Sequence, residues 1–323
     1  GDAQVVYSSA EGNEADSASS NGRGIGVDTD LYFTAGGELD NGFTVSVFTA
    51  LDLEQSNTAT SGGVNSSAQM TIGMGSLGTV QFNDVSGSAA NAIDDVLPKA
   101  YEETWDAIGS NTATADFHSF GAAVNKGSVS YKTPSFELPF GITASAALDY
   151  DPNAGVEAPT PGSVGSDAAS GEAYVFKLAH ESGLTLGGGE MTVGNSDAVR
   201  GETIATGYLL YKNGGLSLGY QEAYENAAIT EKGTTTRGVD TESDGFAIAY
   251  SAGDLSFSYS ETNETAQANG ATAALEEEEF SAIQAAYNLG GMTIAASLYE
   301  ADNLDGVAAK KYEETEISLS FAF

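Results

Sequence analysis

The chain has 323 residues, with 46 acids against 11 bases, no cysteine and a net charge of −35. That field repels nucleic-acid phosphates and argues against a DNA- or RNA-binding role, while the missing cysteines exclude disulfides and thiolate-held metals. Two histidines, His118 and His180, leave little for an imidazole-based centre, and 40 glycines against six prolines favour strands and tight turns over a helical bundle.

No apolar run approaches the ~18–20 residues of a membrane-spanning helix. A barrel strand shows the bilayer only alternate residues, so this does not exclude a membrane. The start of the chain is neither basic nor hydrophobic, so a signal peptide is expected to have been removed. The class is all-β, acidic and extracytoplasmic, with a halophile-like soluble β-protein still open at this point.

Strand-like runs begin at 2–9 and 24–36, on either side of a polar loop. In the second, Ile25, Val27, Leu31 and Phe33 alternate with Asp28, Asp30 and Tyr32, giving one apolar and one polar face. After a connection ending in Asn41-Gly42, a hairpin dipeptide, the run 43–53 sets Phe43, Val45, Val47 and Leu51 against Thr44, Ser46 and Asp52. Runs 67–75 and 79–83 follow, joined by a tight turn. Residues 84–125 then interrupt the meander. They hold seven acids, Lys99 and His118 as the only possible cations, and the single tryptophan, Trp105. Loops beyond ~12–15 residues inside an ordered fold are usually functional or disordered.

Beyond the insert, runs are predicted at 127–133, 142–149, 171–180, 184–195, 202–212, 216–226, 241–251, 255–262, 276–288, 292–300 and 311–323, making 16 in all. Their 15 connections mostly alternate between long polar loops and short Gly-rich turns. A sandwich gives no reason for that alternation, whereas an up-and-down barrel puts odd and even connections on opposite rims. The last run sets Ile317, Leu319, Phe321 and Phe323 against Glu316, Ser318 and Ser320. At about 16 strands the lumen is too wide for side chains to fill. Polar faces therefore point inward and apolar faces meet lipid, in a barrel that has to close.

The chain is similar to the trimeric general porins of the Gram-negative outer membrane, most of all to those of alphaproteobacteria. The residues that carry the resemblance are Gly1-Asp2-Ala3-Gln4, Gly78-Thr79-Val80-Gln81-Phe82 before the acidic insert, and the terminal Ser318-Leu319-Ser320-Phe321-Ala322-Phe323. The resemblance implies a single barrel domain over 1–323, passive diffusion of small hydrophilic solutes, a homotrimer, and contact with outer-membrane lipid and lipopolysaccharide. Family members usually begin a few residues earlier, so the first strand is expected to lack its start.

The resemblance also implies that residues 84–125 fold into the lumen, with Asp94, Asp95, Glu102, Glu103 and Asp106 lining the constriction. The alternative is a solvated external loop. Many porins oppose such acids with a cluster of arginines, but residues 24–83 contain no Lys or Arg. Asp28, Asp30 and Asp52 fall on the expected lumen face instead. Lys132 and Lys177 share the polar parity of their strands and remain as wall cations, with Arg23 near a rim. A carboxylate ~8 Å from a monovalent ion contributes about 0.5 kcal/mol in water-like dielectric, so a cation preference is expected, reduced by salt.

No cofactor is required. Acid-rich stretches such as 276–279, and the insert, offer the oxygen ligands that Ca²⁺ takes, but without EF-hand spacing they read as a solvated face. Three other readings compete with a general porin. One is a substrate-specific channel for small cationic or zwitterionic solutes. Another is a membrane-barrel enzyme, which needs a positioned nucleophile and base that His118 and His180 do not supply. A soluble secreted adhesin is the remaining reading.

Overall fold

The computed structural model describes residues 1–12, 22–52, 65–104, 120–153, 169–194, 199–200, 202–226, 229–230, 240–267 and 275–323. The alternating runs form strands in the expected order. The first five are β1 (Asp2–Gly12), β2 (Gly22–Glu38), β3 (Thr44–Asp52), β4 (Asn65–Gly73) and β5 (Thr79–Asp84). The sixth, β6, comes in two pieces, Ser128–Lys132 and Phe136–Leu138. Next come β7 (Ile142–Asp151), β8 (Gly171–His180), β9 (Leu184–Val193), β10 (Glu202–Asn213) and β11 (Leu216–Asn226). The chain finishes with β12 (Asp240–Ala252), β13 (Leu255–Gln267), β14 (Glu278–Asn288), β15 (Met292–Asp302) and β16 (Lys311–Ala322).

Each strand pairs antiparallel with the next, and β1 pairs with both β2 and β16, so the 16-stranded sheet closes on itself. Closure runs from Asp2 opposite Ala322 to Gly12 opposite Tyr312. Beyond it, the Gly1 ammonium donates to the Phe323 carbonyl at 2.9 Å and the Phe323 N–H to the Gly1 carbonyl at 3.0 Å. A short extra ladder joins Val199–Arg200 to Ile229–Thr230.

Two stretches differ from the sequence expectation. Residues 134–141 were expected to be a connection, yet Phe136–Leu138 continues the pairing of β6 with β7. Pro134 has no N–H to give to the ladder, so the strand breaks there and resumes two residues later. The β13 strand runs on to Gln267 instead of ending near 262. Its Thr262-Asn263-Glu264-Thr265 extension is polar on both faces, so no alternation marks it.

The two faces of the sheet are chemically opposite. Phe257 on β13 and Ile283 on β14 are 50% and 58% exposed on the outside, while their neighbours Ser258 and Gln284 are buried inside. Such an outer face suits lipid, because a water-soluble barrel would reverse it. The strand ends that lead into the eight long connections lie at the rim opposite the termini, and residues 85–104, after β5, leave that rim to run along the inner wall.

Candidate functional site

The segment after β5 turns inward through two positive-φ residues, Val85 (φ 74°) and Gly87 (φ 110°). The Gln69 amide donates to the Ser86 carbonyl at 3.3 Å and the Gln81 amide to the Gly87 carbonyl at 2.9 Å. A Cβ on Gly87 would lie 2.5 Å from the Gln69 Nε2, so glycine serves both the turn and the close approach.

From there polar side chains of successive strands hold the loop backbone. Asp149 on β7, fully buried, accepts the N–H groups of Ala89 and Ala90 at 3.1 and 2.7 Å. Gln221 on β11 accepts from the Val96 N–H at 2.9 Å and donates to the Asp94 carbonyl at 2.8 Å. Ser258 on β13 accepts from Ala100 at 2.9 Å, and Gln284 on β14 both accepts from Tyr101 and donates to the Glu102 carbonyl. The Thr104 hydroxyl donates to Ser260, and Gln4 on β1 donates to the Tyr101 hydroxyl at 3.1 Å. Residues 89–104 thus cross the inner wall from β7 round to β1. Buried backbone groups require such partners.

Apolar contacts fill the space between these clasps. Ala90, Ile93, Phe120 and Val124 pack against Ala173, Met191, Ile204 and Tyr208 on β8–β10. Leu97 packs against Ala223 and Ala247, and burying a side chain of that size stabilises by about 1.5–3 kcal/mol. Wall glycines make the room. A Cβ on Gly219 would lie 2.4 Å from the Pro98 Cδ, and one on Gly245 would lie 3.0 Å from the Leu97 Cδ1.

The loop acids expected at the constriction do different jobs. The Asp95 side chain is 2% exposed, accepts from the Leu97 N–H at 2.8 Å and pairs with Lys99 at 3.5 Å, so it braces the loop from within. Lys99 also meets Glu103 at 2.5 Å. The Asp94 carboxylate accepts from the Asn91 side chain and the Asp95 N–H, both at 2.8 Å. Burial pushes the Asp94 carboxyl up to about 7, helped by the nearby Glu103 and Asp95 charges and opposed by the Asp95 N–H. Asp95 is likewise pushed up to about 6 by burial, against the pull of Lys99. Glu102, half-buried, gives its backbone carbonyl to Gln284. Trp105, Asp106 and His118 lie outside the described residues.

On the wall that residues 89–104 leave open, Asp28, Asp30 and Asp52 bring carboxylate oxygens within 4.8 Å of one another. Asp2 stands opposite Asp30 in register, and Gln4, which touches the loop, stands opposite Asp28, which places this face inside. The Tyr32 hydroxyl donates to Asp30 at 3.2 Å, and its ring stacks on Phe48 at 6.0 Å. Lys132 shares the inner face of β6 with the buried Ser128 and Ser130, and Lys177 that of β8 with Ala173. Both lie toward the short-turn rim, opposite Ala147 and Ser145 of β7. Arg23 falls with Ile25 and Val27 on the outer face, so it supplies no lumen charge. Glu276 and Glu277 sit at the long-loop rim, where the Glu276 N–H donates to the Gly306 carbonyl and Thr265 donates to Glu277.

Asp149, Gln221, Gln284 and the wall glycines were not singled out from the sequence. Each sits at an ordinary lumen parity among Ser, Ala and Thr, and only the loop's path distinguishes them. His180 Nδ1 lies 2.8 Å from the Ser182 hydroxyl, but in an exposed turn where the Ser182 N–H also donates to it, so the contact is a local turn interaction.

The family model described as Gram-negative porin matches residues 1–207. No curated protein matches in sequence. Among solved structures, the anion-selective porin from Comamonas acidovorans is similar at TM-score 0.66 and 14% identity, over 100% of this chain and 99% of that one. The OmpT outer membrane protein of Vibrio cholerae, in its trimer form, gives 0.63 and 11%, over 100% and 98%. A variant of the Rh. blastica porin gives 0.57 and 14%, over 99% of each. With its closed barrel, lipid-suited exterior and polar interior, the chain belongs to the Gram-negative porin family: it is an outer-membrane channel for passive diffusion, and not an enzyme.

Proposed function

We propose that this channel prefers cations and that the insert of residues 84–125 narrows its passage. The observation that carries the preference is the Asp28, Asp30 and Asp52 cluster on a wall, residues 24–83, that holds no Lys or Arg. Three carboxylates ~8 Å from a permeating ion give about 1.5 kcal/mol in water-like dielectric, on the order of tenfold before screening. The paired Lys99 offsets part of the loop's own charge. Lys132 and Lys177 act nearer the short-turn rim. The anion-selective porin of similar fold is consistent with lining charge, and not the barrel, setting the sign. Replacing Asp28, Asp30 and Asp52 by Asn should bring the cation-to-anion permeability ratio at low salt down severalfold in planar bilayers. An unchanged ratio would refute the assignment to this wall.

The outward positions of β2–β4 carry no carboxylate, unlike those of β11–β16, where Glu222, Asp244, Glu261, Glu300 and Glu313 stand in outer-face parity. This supports β2–β4 as the face where copies meet in a homotrimer. An SDS-resistant oligomer that dissociates on boiling is the expected result. A general pore should pass uncharged sugars in liposome swelling according to size, and saturation would point to a substrate-specific channel instead.

A further inference from the structure

At the long-loop rim the inner faces of β14, β15, β16 and β1 end in an apolar patch, Phe280, Ala301, Tyr312 and Ala10. Each shares its strand's parity with a residue already placed inside: Phe280 with Gln284, Ala301 with Tyr299, Tyr312 with Ser318 and Ala10 with Gln4. The lumen of a barrel this wide holds water, so apolar side chains there would be wetted unless something covers them. Leu304, from the connection after β15, is buried in the same cluster. Residues 303–310 therefore fold back over the inner wall and do not stand up from the rim.

Bonds at both ends hold this connection down. Asn303 and Ala309 turn it with φ of 55° and 62°. A left-handed alanine is uncommon and persists where its surroundings fix it. The Asn303 side chain accepts from the Ala309 N–H and donates to the Glu277 carbonyl, both at 3.0 Å. The Leu304 N–H donates to the Lys310 carbonyl at 3.1 Å, and the Lys310 N–H to the Val307 carbonyl at 3.0 Å. Gly306, at φ 65°, approaches so closely that a Cβ on it would lie 2.7 Å from the Leu275 Cβ. Across the base of the connection, Lys311 pairs with Asp302 at 2.6 Å.

The height of this strap relates it to the insert. On β14, Phe280 lies under the strap and Gln284 holds Tyr101 and Glu102. Four residues separate the two, about 13 Å at the rise of a strand. Both inward elements rest on the same sector, the strap on β14–β1 and residues 100–104 on β13, β14 and β1.

We propose that residues 303–310 form a second narrowing, at the mouth, stacked above the insert. Solutes are then sieved twice along the side that carries Asp28, Asp30 and Asp52. Leu304 is the anchor of the strap, and Val307, exposed beyond the turn that Leu304 begins, is its edge over the passage. The strap acts by size, so it stands or falls separately from the cation preference.

The chain has no cysteine, so Val307→Cys creates a unique thiol for a bulky maleimide-linked polyethylene glycol. Labelling should lower unitary conductance in planar bilayers about twofold. The same label on Glu300→Cys, which lies beside Ala301 but in outer-face parity, should leave conductance unchanged. Leu304→Ser frees the anchor without altering charge, and in liposome swelling it should raise entry of a trisaccharide relative to a pentose severalfold. Heat-modifiability checks folding, and a mass shift checks complete labelling. Wild-type conductance from labelled Val307→Cys, or an equal loss from labelled Glu300→Cys, would overturn the strap's place over the passage. Wild-type sieving by folded Leu304→Ser would overturn its role as a narrowing.

Discussion

Asp149→Ala should undock the start of the inward-folded segment after β5 while leaving the barrel closed. The carboxylate is fully buried and accepts the N–H groups of Ala89 and Ala90 at 3.1 and 2.7 Å. Hydrogen bonds to a charged group contribute about 1.5–3 kcal/mol each, so removing both costs the docked state about 3–6 kcal/mol. Ala90 is itself fully buried and Ala89 nearly so, and without Asp149 those donors lose the acceptors they have while the loop stays down. The later clasps at Gln221, Ser258 and Gln284 remain, so the disturbance should stay local to residues 86–93. Hydrogen exchange read at the Ala89 and Ala90 amides should accelerate by about 10²–10⁴-fold, with 1.4 kcal/mol per factor of ten. Single-channel conductance should become noisier. Asp149→Asn keeps one acceptor oxygen and should fall between the two. Unchanged exchange at both amides in Asp149→Ala would refute the clasp.

Three further outcomes follow from the same geometry. Gly219→Val places a side chain where a Cβ alone would lie 2.4 Å from the Pro98 Cδ, so the loop should shift and unitary conductance should change while heat-modifiability is retained; wild-type conductance would contradict the packing. Asp94 and Asp95 have carboxyls pushed up to about 7 and about 6 by burial. Their protonated forms therefore favour the docked loop at low pH, and that stabilisation is lost as pH rises through about 6–7, so the protection of the Val96 amide, taken relative to the intrinsic exchange rate at each pH, should be greater at pH 5 than at pH 8. Over the same rise the loop gains negative charge, and the cation preference should increase; a flat permeability ratio across that range would count against the charges of Asp94 and Asp95 acting on the passage.

The architecture was largely legible because a barrel repeats one signal many times. Ile25, Val27 and Phe33 against Asp28 and Asp30 already give the two faces of β2, and the alternating connections give the two rims. Pro134 misled the reading locally, since a residue that breaks a ladder looks like the end of a strand when pairing can resume at Phe136. The site was only partly legible. The insert and its acids stand out as a length anomaly and a charge run, and Asp28, Asp30 and Asp52 follow from parity. Nothing in the one-dimensional pattern separates Asp95, folded into the loop against Lys99, from a carboxylate facing water. Nor does parity reveal that Gly219 and Gly245 are bare to admit Pro98 and Leu97, because that requirement comes from a segment more than a hundred residues away.

The most direct test of the charge account is the zero-current potential of the wild-type protein in a planar bilayer under a low-salt KCl gradient at pH 8. The expected result is a potential whose sign shows K⁺ more permeant than Cl⁻, diminishing as salt is raised. A potential of the opposite sign, with Cl⁻ preferred, would contradict the assignment of Asp28, Asp30 and Asp52 as the charges that set selectivity.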